Sequence, residues 1–395
     1  MHPKVASLGK AAAKKKALAA TWTFPTVVAT ALLIAWAAEA AQFLVSQGLA
    51  LALLAWLQTL PEFMVEAVIA WEQKVHLMVA NLTGSIRLLI GLGWPMIFFT
   101  KALLGGKNLN GKRFGPIVLM SEHSVEVIGV FLPSLYFLII FAKGTLTLFD
   151  ALLLFGFYVY YLYILYRIPP VEEEGAEDLP WVPAKILTLS KRNQVITVAA
   201  MFLAGGVVLL LVASPFLHSM MGLAVTLGVS EFVFVQWVAP FLSEFPEKLS
   251  AFYWARTGKK ASMAMINLVS SVINQWTVLP AMMVVVYSVS RGEVSTVVFD
   301  HHQRVEILLT IAQSFLASVF LLNMKMEWFE AVLLFLLWFV QFVLPHTREE
   351  MVVVYFLFVG FEVLRMFRGK RSVVAVRKFG EQYRNHVRKK GNDRE

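Results

Sequence analysis

Cysteine is absent from the 395 residues, which excludes disulfides, thiolate metal sites and cysteine nucleophiles. Charge is scarce. Asp, Glu, Lys and Arg make up 15% of the chain against 58% hydrophobic residues, and mean hydropathy is +0.68. So few charges cannot cover the apolar surface that a soluble protein of this length would carry. Hydrophilic interruptions are nearly missing as well. Away from the ends, the one clear example is IPPVEEEGAEDLPWVPAK, from Ile168 to Lys185. There is no nucleotide-binding glycine loop, no nucleophile–base–acid order and no zinc signature, so an enzyme is not expected.

What remains is a series of apolar runs, each near the roughly 20 residues a membrane-spanning helix needs. The expected spans are Thr21 to Phe43, Ser46 to Trp71, Val75 to Leu104, Pro116 to Ala142 and Thr145 to Tyr166. After the polar stretch come Gln194 to Ser214, Gly222 to Trp254, Ala261 to Ser290, Val305 to Asn323 and Glu327 to Leu344. Met351 to Phe367 precedes a basic tail. The fold class is all-α, a polytopic membrane protein. The net charge of +9 is concentrated at the ends, in Lys14 to Lys16 and from Arg365 onward. Such charge is an orientation and lipid-headgroup signal, and the tail lacks the aromatic interleaving of a nucleic-acid site. Basic residues in alternate loops favour an outer N-terminus and an inner C-terminus, with only the N-terminal lysines against it.

The chain repeats itself. VSQGLALALLAWLQTLPEF from Val45 returns as VSEFVFVQWVAPFLSEFPEK from Val229, each run ending in Pro-Glu: Pro61-Glu62 and Pro246-Glu247. HSVEVIG at His123 matches QRVEILL at Gln303, and FDALLLF at Phe149 matches FEAVLLF at Phe329. Glu126 to Asp150 spans 24 positions, as does Glu306 to Glu330. Five spans per half is an odd number, so the halves must lie in opposite senses in the bilayer, the inverted-repeat plan of secondary transporters. The expected organisation is a basic segment 1–20, a first repeat 21–167, a polar acidic linker 168–193, a second inverted repeat 194–345, and an eleventh helix with a basic tail over 346–395. The short linker suits a prokaryotic plasma membrane. The oligomeric state is not legible.

After each Pro-Glu comes a second polar motif, NLTGSIRLL from Asn81 and NLVSSVINQ from Asn267. With Leu57-Gln58-Thr59-Leu60-Pro61-Glu62 and Leu242-Ser243-Glu244-Phe245-Pro246-Glu247, these motifs resemble the alpha-repeats of the cation/calcium exchanger superfamily, as a divergent member of the sodium/calcium exchanger type. The resemblance implies antiport of Ca²⁺ or Na⁺ against Na⁺ or H⁺ by alternating access, with no cofactor beyond the transported ions. The partners it implies are inorganic cations and the lipid bilayer, not nucleic acid.

The residues support the same chemistry. Hard cations take oxygen ligands. Glu62 and Glu247 supply charge, Thr59, Ser243, Ser85 and Ser271 hydroxyl oxygen, and Asn81 and Asn267 amide oxygen. Prolines beside the acids free backbone carbonyls. Intramembrane acids default to function, although structural acids satisfied by neighbouring helices compete with that reading. For Asn81 and Asn267 the rival is interhelical glue, and for Ser85 and Ser271 it is close helix packing.

Repeat one departs from the pattern at Ile86 and Leu89, which cannot coordinate, whereas repeat two has Asn274 and Gln275. Glu244 stands as a third carboxylate where a hydroxyl is usual. Arg87, inside an apolar run, either pairs with Glu66 or Glu126 or acts as a built-in cation within the site. The second course would leave a monovalent cation/proton exchanger, or a scaffold or sensor that has lost Ca²⁺ transport. Glu126 and Glu306 are expected to pair with Arg87 or Arg304 as readily as to serve transport. His301 and His302, beside Asp300, are expected in a solvated loop.

Overall fold

A computed structural model describes residues 13–44, 57, 59–105, 113–168, 179–258 and 260–388. The first half comprises α1 (Ala20–Ala41), α2 (Leu60–Trp71), α3 (Val75–Leu88), α4 (Trp94–Leu104), α5 (Ser124–Lys143) and α6 (Leu148–Arg167). A π-helical turn, Leu89–Gly93, joins α3 to α4. A short helix, α7 (Trp181–Leu187), leads into the second half: α8 (Lys191–Leu227), α9 (Glu231–Ser243), α10 (Phe245–Arg256), α11 (Ala261–Arg291), α12 (His301–Leu321) and α13 (Trp328–Val343). Then follow α14 (Arg348–Phe367) and α15 (Val374–Gln382).

Several expected spans change shape. Gly222 to Trp254 is not one helix. Its start belongs to α8, which runs through Pro215 to a left-handed Gly228 (φ 71°), and the rest is split into α9 and α10 at Glu244. The separate span Gln194 to Ser214 is therefore only part of α8. Proline explains the split. Pro246 and Pro61 sit in the first turns of α10 and α2, where a missing N–H costs nothing and the ring excludes a helix passing through unbroken. The first part of Ser46 to Trp71 lies outside the described residues. Pro116 to Ala142 becomes helical only at Ser124. His301 and His302 open α12 rather than a loop, with Asp300 as the N-cap in a capping box with Gln303.

The inversion is built into two small ladders. Ile117–Val118, before α5, pairs antiparallel with Lys325–Met326, after α12. Thr145–Leu146, after α5, pairs antiparallel with Val297–Val298, before α12. Each end of α5 is thus tied to the opposite end of α12, so these equivalent helices run antiparallel. Asp150 and Glu330 have equivalent places too. Each is the third residue of its helix and closes a capping box, with Thr147 on α6 and with Glu327 on α13.

Among the described residues, seven helices are long and apolar enough to cross a membrane, or eight if Trp328–Val343 and Pro345–Phe367, bent by 112°, count as one span. On α8, Leu203, Leu210 and Leu211 are exposed, so the apolar face turns outward to lipid rather than to a core. Beyond α14, Arg371 bonds Glu362 (2.8 Å) and Glu330, and donates to the Phe320 carbonyl (2.6 Å). This anchors the chain where α15 folds back onto α5, and Tyr383 meets Tyr160 across 2.9 Å between hydroxyls.

A buried acid cluster shared by the two halves

The broken helices bring the two Pro-Glu motifs together. Glu62 is buried near the start of α2. One of its oxygens accepts from Asn81 Nδ2 (3.1 Å) and from the Ser85 hydroxyl, both on α3. The other accepts from Ser243 Oγ (3.1 Å) at the end of α9, in the opposite half. The Asn81 amide also donates to Glu66 (2.7 Å), one turn further along α2. In the second half, Ser271 on α11 donates to Glu247 on α10. Gln275 donates to Glu244 (2.5 Å), whose second oxygen takes the Lys248 ammonium (2.5 Å). Glu62 and Glu66 share the Asn81 amide, and Glu244 sits between Ser243, which bonds Glu62, and the Pro246-Glu247 motif. Carboxylates this close repel, and either a shared proton or a bound cation relieves the repulsion.

Thr59, at the N-cap of α2, and Asn267, within α11, are both buried. The hydroxyls of Ser85 and Ser271 are not mere spacers, since both donate to the motif acids. The spacer is Gly84: a Cβ there would lie 1.8 Å from the Gln236 carbonyl oxygen, so only glycine lets α3 approach α9 this closely. Glu66 Oε1, Asn81 Oδ1, Glu247 Oε2 and Gln275 Oε1 are buried without a hydrogen-bond partner among the described residues. All four are oxygens. Buried acceptors seldom go unsatisfied, and oxygens of this kind are what a hard cation takes as ligands.

Arg87 faces away from this cluster. Its guanidinium pairs with Glu306 (2.5 Å), donates to Gln341 (2.8 Å) and to the Thr83 carbonyl (3.2 Å), and stacks over Trp237. Its partner is neither Glu66 nor Glu126, and it is not a built-in cation between the motif acids. Glu306 also accepts from Gln236 (2.9 Å) and forms an ion pair with Arg348 on α14. Its counterpart on α5 has no such cage among the described residues: Glu126 Oε2 lacks a partner there, and Arg304 bonds the Phe141 carbonyl (3.2 Å). Among the described residues no group of three or more His, Cys, Asp or Glu is arranged as a conventional metal site, so a cation here would rely on amide and hydroxyl oxygens as well.

Sequence reasoning missed Lys248. It follows Glu247 directly and stands four residues after Glu244, a spacing that places an acid and a base on one helical face. It also missed Glu39, which carries α1 to the site helix by accepting from Ser250 on α10 (2.6 Å). Between α1, α7 and α10 lies a cavity of about 490 Å³, lined by Trp36, Trp181, Pro246, Ser250 and Arg256 among others. It reaches from the end of the bundle that carries Arg256 to the proline beside Glu247.

Comparison with known proteins agrees with this architecture. The chain is similar to a crystal structure of the H⁺/Ca²⁺ exchanger CAX, with 32% identity and a TM-score of 0.84 over 95% of this chain and 91% of that one. It shares its fold with native YfkE (18% identity, TM-score 0.56, 85% and 91% covered) and with the sodium-calcium exchanger NCX_Mj (16%, 0.53, 85% and 99%). No curated protein matches it. Residues 17–167 and 197–345 match the family described as sodium/calcium exchanger protein. With two inverted halves meeting at paired intramembrane acids, this chain belongs to the sodium/calcium exchanger protein family, as a multi-pass membrane cation exchanger.

Proposed function

We propose that the protein exchanges Ca²⁺ for protons by alternating access. The observation that carries the reading is the set of buried, partnerless oxygens around acids contributed by both halves. The likeness to a structure whose name is that of an H⁺/Ca²⁺ exchanger supports the choice of ions. Glu62 and Glu247 are the charge-bearing ligands. Asn81, Asn267, Gln275, Ser243 and Thr59 supply neutral oxygen, and Ser85 and Ser271 hold the carboxylates in place. Protons and metal compete for the same carboxylates, so loading one expels the other. The cavity beside Pro246 is the route to one side. Access switches as α1 and α8, which pack together through Thr23 and Ser219 (2.8 Å between hydroxyls), slide past the helices that carry the site.

The test is flux in proteoliposomes. An imposed pH gradient drives Ca²⁺ uptake by the wild type, and Glu62→Gln or Glu247→Gln lowers it by on the order of 100-fold, the cost of about 2.7 kcal/mol of lost cation binding. Because protons compete, the Ca²⁺ concentration giving half-maximal flux rises as the pH on that side falls. Undiminished flux in Glu247→Gln would overturn the site. Flux driven by Na⁺ but not by protons would replace the coupling ion.

A further inference from the structure

The basic residues of the C-terminal tail divide once the chain folds. Arg371 is buried and turned inward, where it pairs with Glu362 and Glu330 and donates to the Phe320 carbonyl (2.6 Å). The first repeat shows why it is needed. There Asp150 closes the capping box of α6 and takes its counter-ion from Lys143, at the end of α5. Glu330 holds the equivalent place on α13. By the offset that relates Asp150 to Glu330, the residue equivalent to Lys143 is Asn323, which carries no charge. A buried carboxylate without a partner is costly, and the tail supplies the missing cation. The Val374 and Ala375 N–H groups both donate to the Leu322 carbonyl (2.8 and 2.9 Å), which fixes the start of α15 at the same corner.

From that anchor α15, continued by a π-helical turn over Tyr383–Arg388, lies across the α5–α6 hairpin. Ala375, Phe379, Tyr383 and Val387, four residues apart, form its inner stripe. Phe379 lines an apolar cavity there with Ile128, Leu132 and Phe157. The outer face carries Arg377, Arg384 and Arg388, all exposed, with exposed Val376 among them and Glu381 as its one acid among the described residues. Phe367, Arg368 and Lys370, exposed as well, precede the helix. On the hairpin beside it, Leu132, Phe155, Tyr160, Tyr163 and Tyr166 are turned outward. Outward apolar side chains put this flank against lipid, and tyrosines near the end of a spanning helix mark the level of the headgroups. A basic face interleaved with exposed Phe and Val is the pattern of a helix lying in that interface.

We propose that the outer face of α15 is a docking surface for anionic phospholipid headgroups, with Arg377, Arg384 and Arg388 as the residues that face the phosphates. The face is continuous with the lipid-exposed side of the hairpin, and this selects the membrane over a soluble acidic partner, which would have to displace lipid to reach Val376. Headgroups hold the helix from outside while Arg371 holds it from within. The inference does not depend on which ions are exchanged.

The experiment counts lipids bound to the full chain by native mass spectrometry, with phosphatidylglycerol and phosphatidylcholine titrated in turn into the detergent-purified protein. The wild type is expected to retain phosphatidylglycerol in preference. Each basic residue near an anionic surface contributes about fivefold, so Arg377→Gln/Arg384→Gln/Arg388→Gln should weaken apparent phosphatidylglycerol binding by about 100-fold and leave phosphatidylcholine binding unchanged. The charge-conserving Arg377→Lys/Arg384→Lys/Arg388→Lys should keep the preference. Equal retention of the two lipids by the wild type overturns the assignment, as does an undiminished preference in the glutamine variant or a lost one in the lysine variant. A glutamine variant that keeps its lipid and changes only from dimer to monomer makes the face a contact between copies instead. A wild type that binds soluble polyphosphate but no phosphatidylglycerol makes it a site for a soluble polyanion, and either result overturns the lipid reading.

Discussion

At the scale of single residues, the motif acids are held by hydroxyls that the sequence presents as packing residues. Ser85 and Ser271 are small, and small residues in membrane helices usually serve close approach. Here that role falls to Gly84, while both serines donate to carboxylates. Groups that orient ligands typically matter by about 10–100-fold in metal affinity. Ser271→Ala should therefore raise the Ca²⁺ concentration for half-maximal flux by about that factor, with a smaller change in maximal rate. Titrating flux against Ca²⁺ checks it, and an unchanged midpoint would return Ser271 to packing. Lys248 shows the opposite difficulty. Its partner was readable from i,i+4 spacing alone, but the need for a partner became evident only once the position proved buried.

The same contrast holds for whole elements. Pro61 and Pro246 announce breaks in apolar runs. The lengths of the pieces depend on what each piece packs against, so α8 absorbs Gly222 and α9 ends at Ser243. Among the elements, α1 and α8 make a pair, and Glu39 links α1 to α10. A cysteine-free chain makes the consequence testable by cross-linking. Thr23→Cys/Ser219→Cys ties two helices that move together and should leave transport intact when oxidised. Glu39→Cys/Ser250→Cys ties a moving helix to a site helix and should stop transport until reductant is added. Comparing oxidised with reduced protein within each variant separates the cross-link from the substitutions. Inhibition by both pairs, or by neither, would contradict the sliding of α1 and α8.

For the molecule as a whole, the duplication that seemed uniform in sequence serves two purposes. The Glu62 and Glu247 motifs meet where Ser243 of the second half bonds Glu62, while the Glu126 and Glu306 pair diverges. Glu306 is caged by Arg87, Arg348 and Gln236, joining α3, α9, α12 and α14. Breaking a buried ion pair by removing one partner costs about 3–5 kcal/mol. Arg87→Leu should thus lower the thermal unfolding temperature in detergent by several degrees, whereas Glu247→Gln should change it little. Equal stability of Arg87→Leu and wild type would contradict the assignment of Arg87 as a structural tie.

Composition and periodicity alone determined a helical membrane protein in two opposed halves, because apolar runs of spanning length and a repeated set of acids leave no soluble alternative. They also placed Glu62, Glu247, Asn81, Gly84, Ser85 and Ser271 in corresponding motifs. Only the tertiary structure decided which charges meet. Arg87 could reach several acids by helical spacing, and its choice of Glu306, 219 positions away, follows from how α12 packs beside α3. Contacts between halves depend on interhelical distance, which a linear pattern does not carry. For that reason the motif acids and their hydroxyl and amide neighbours were legible in advance, while the Lys248 ammonium, the Glu39 tie and the partner of Arg87 had to wait for the fold.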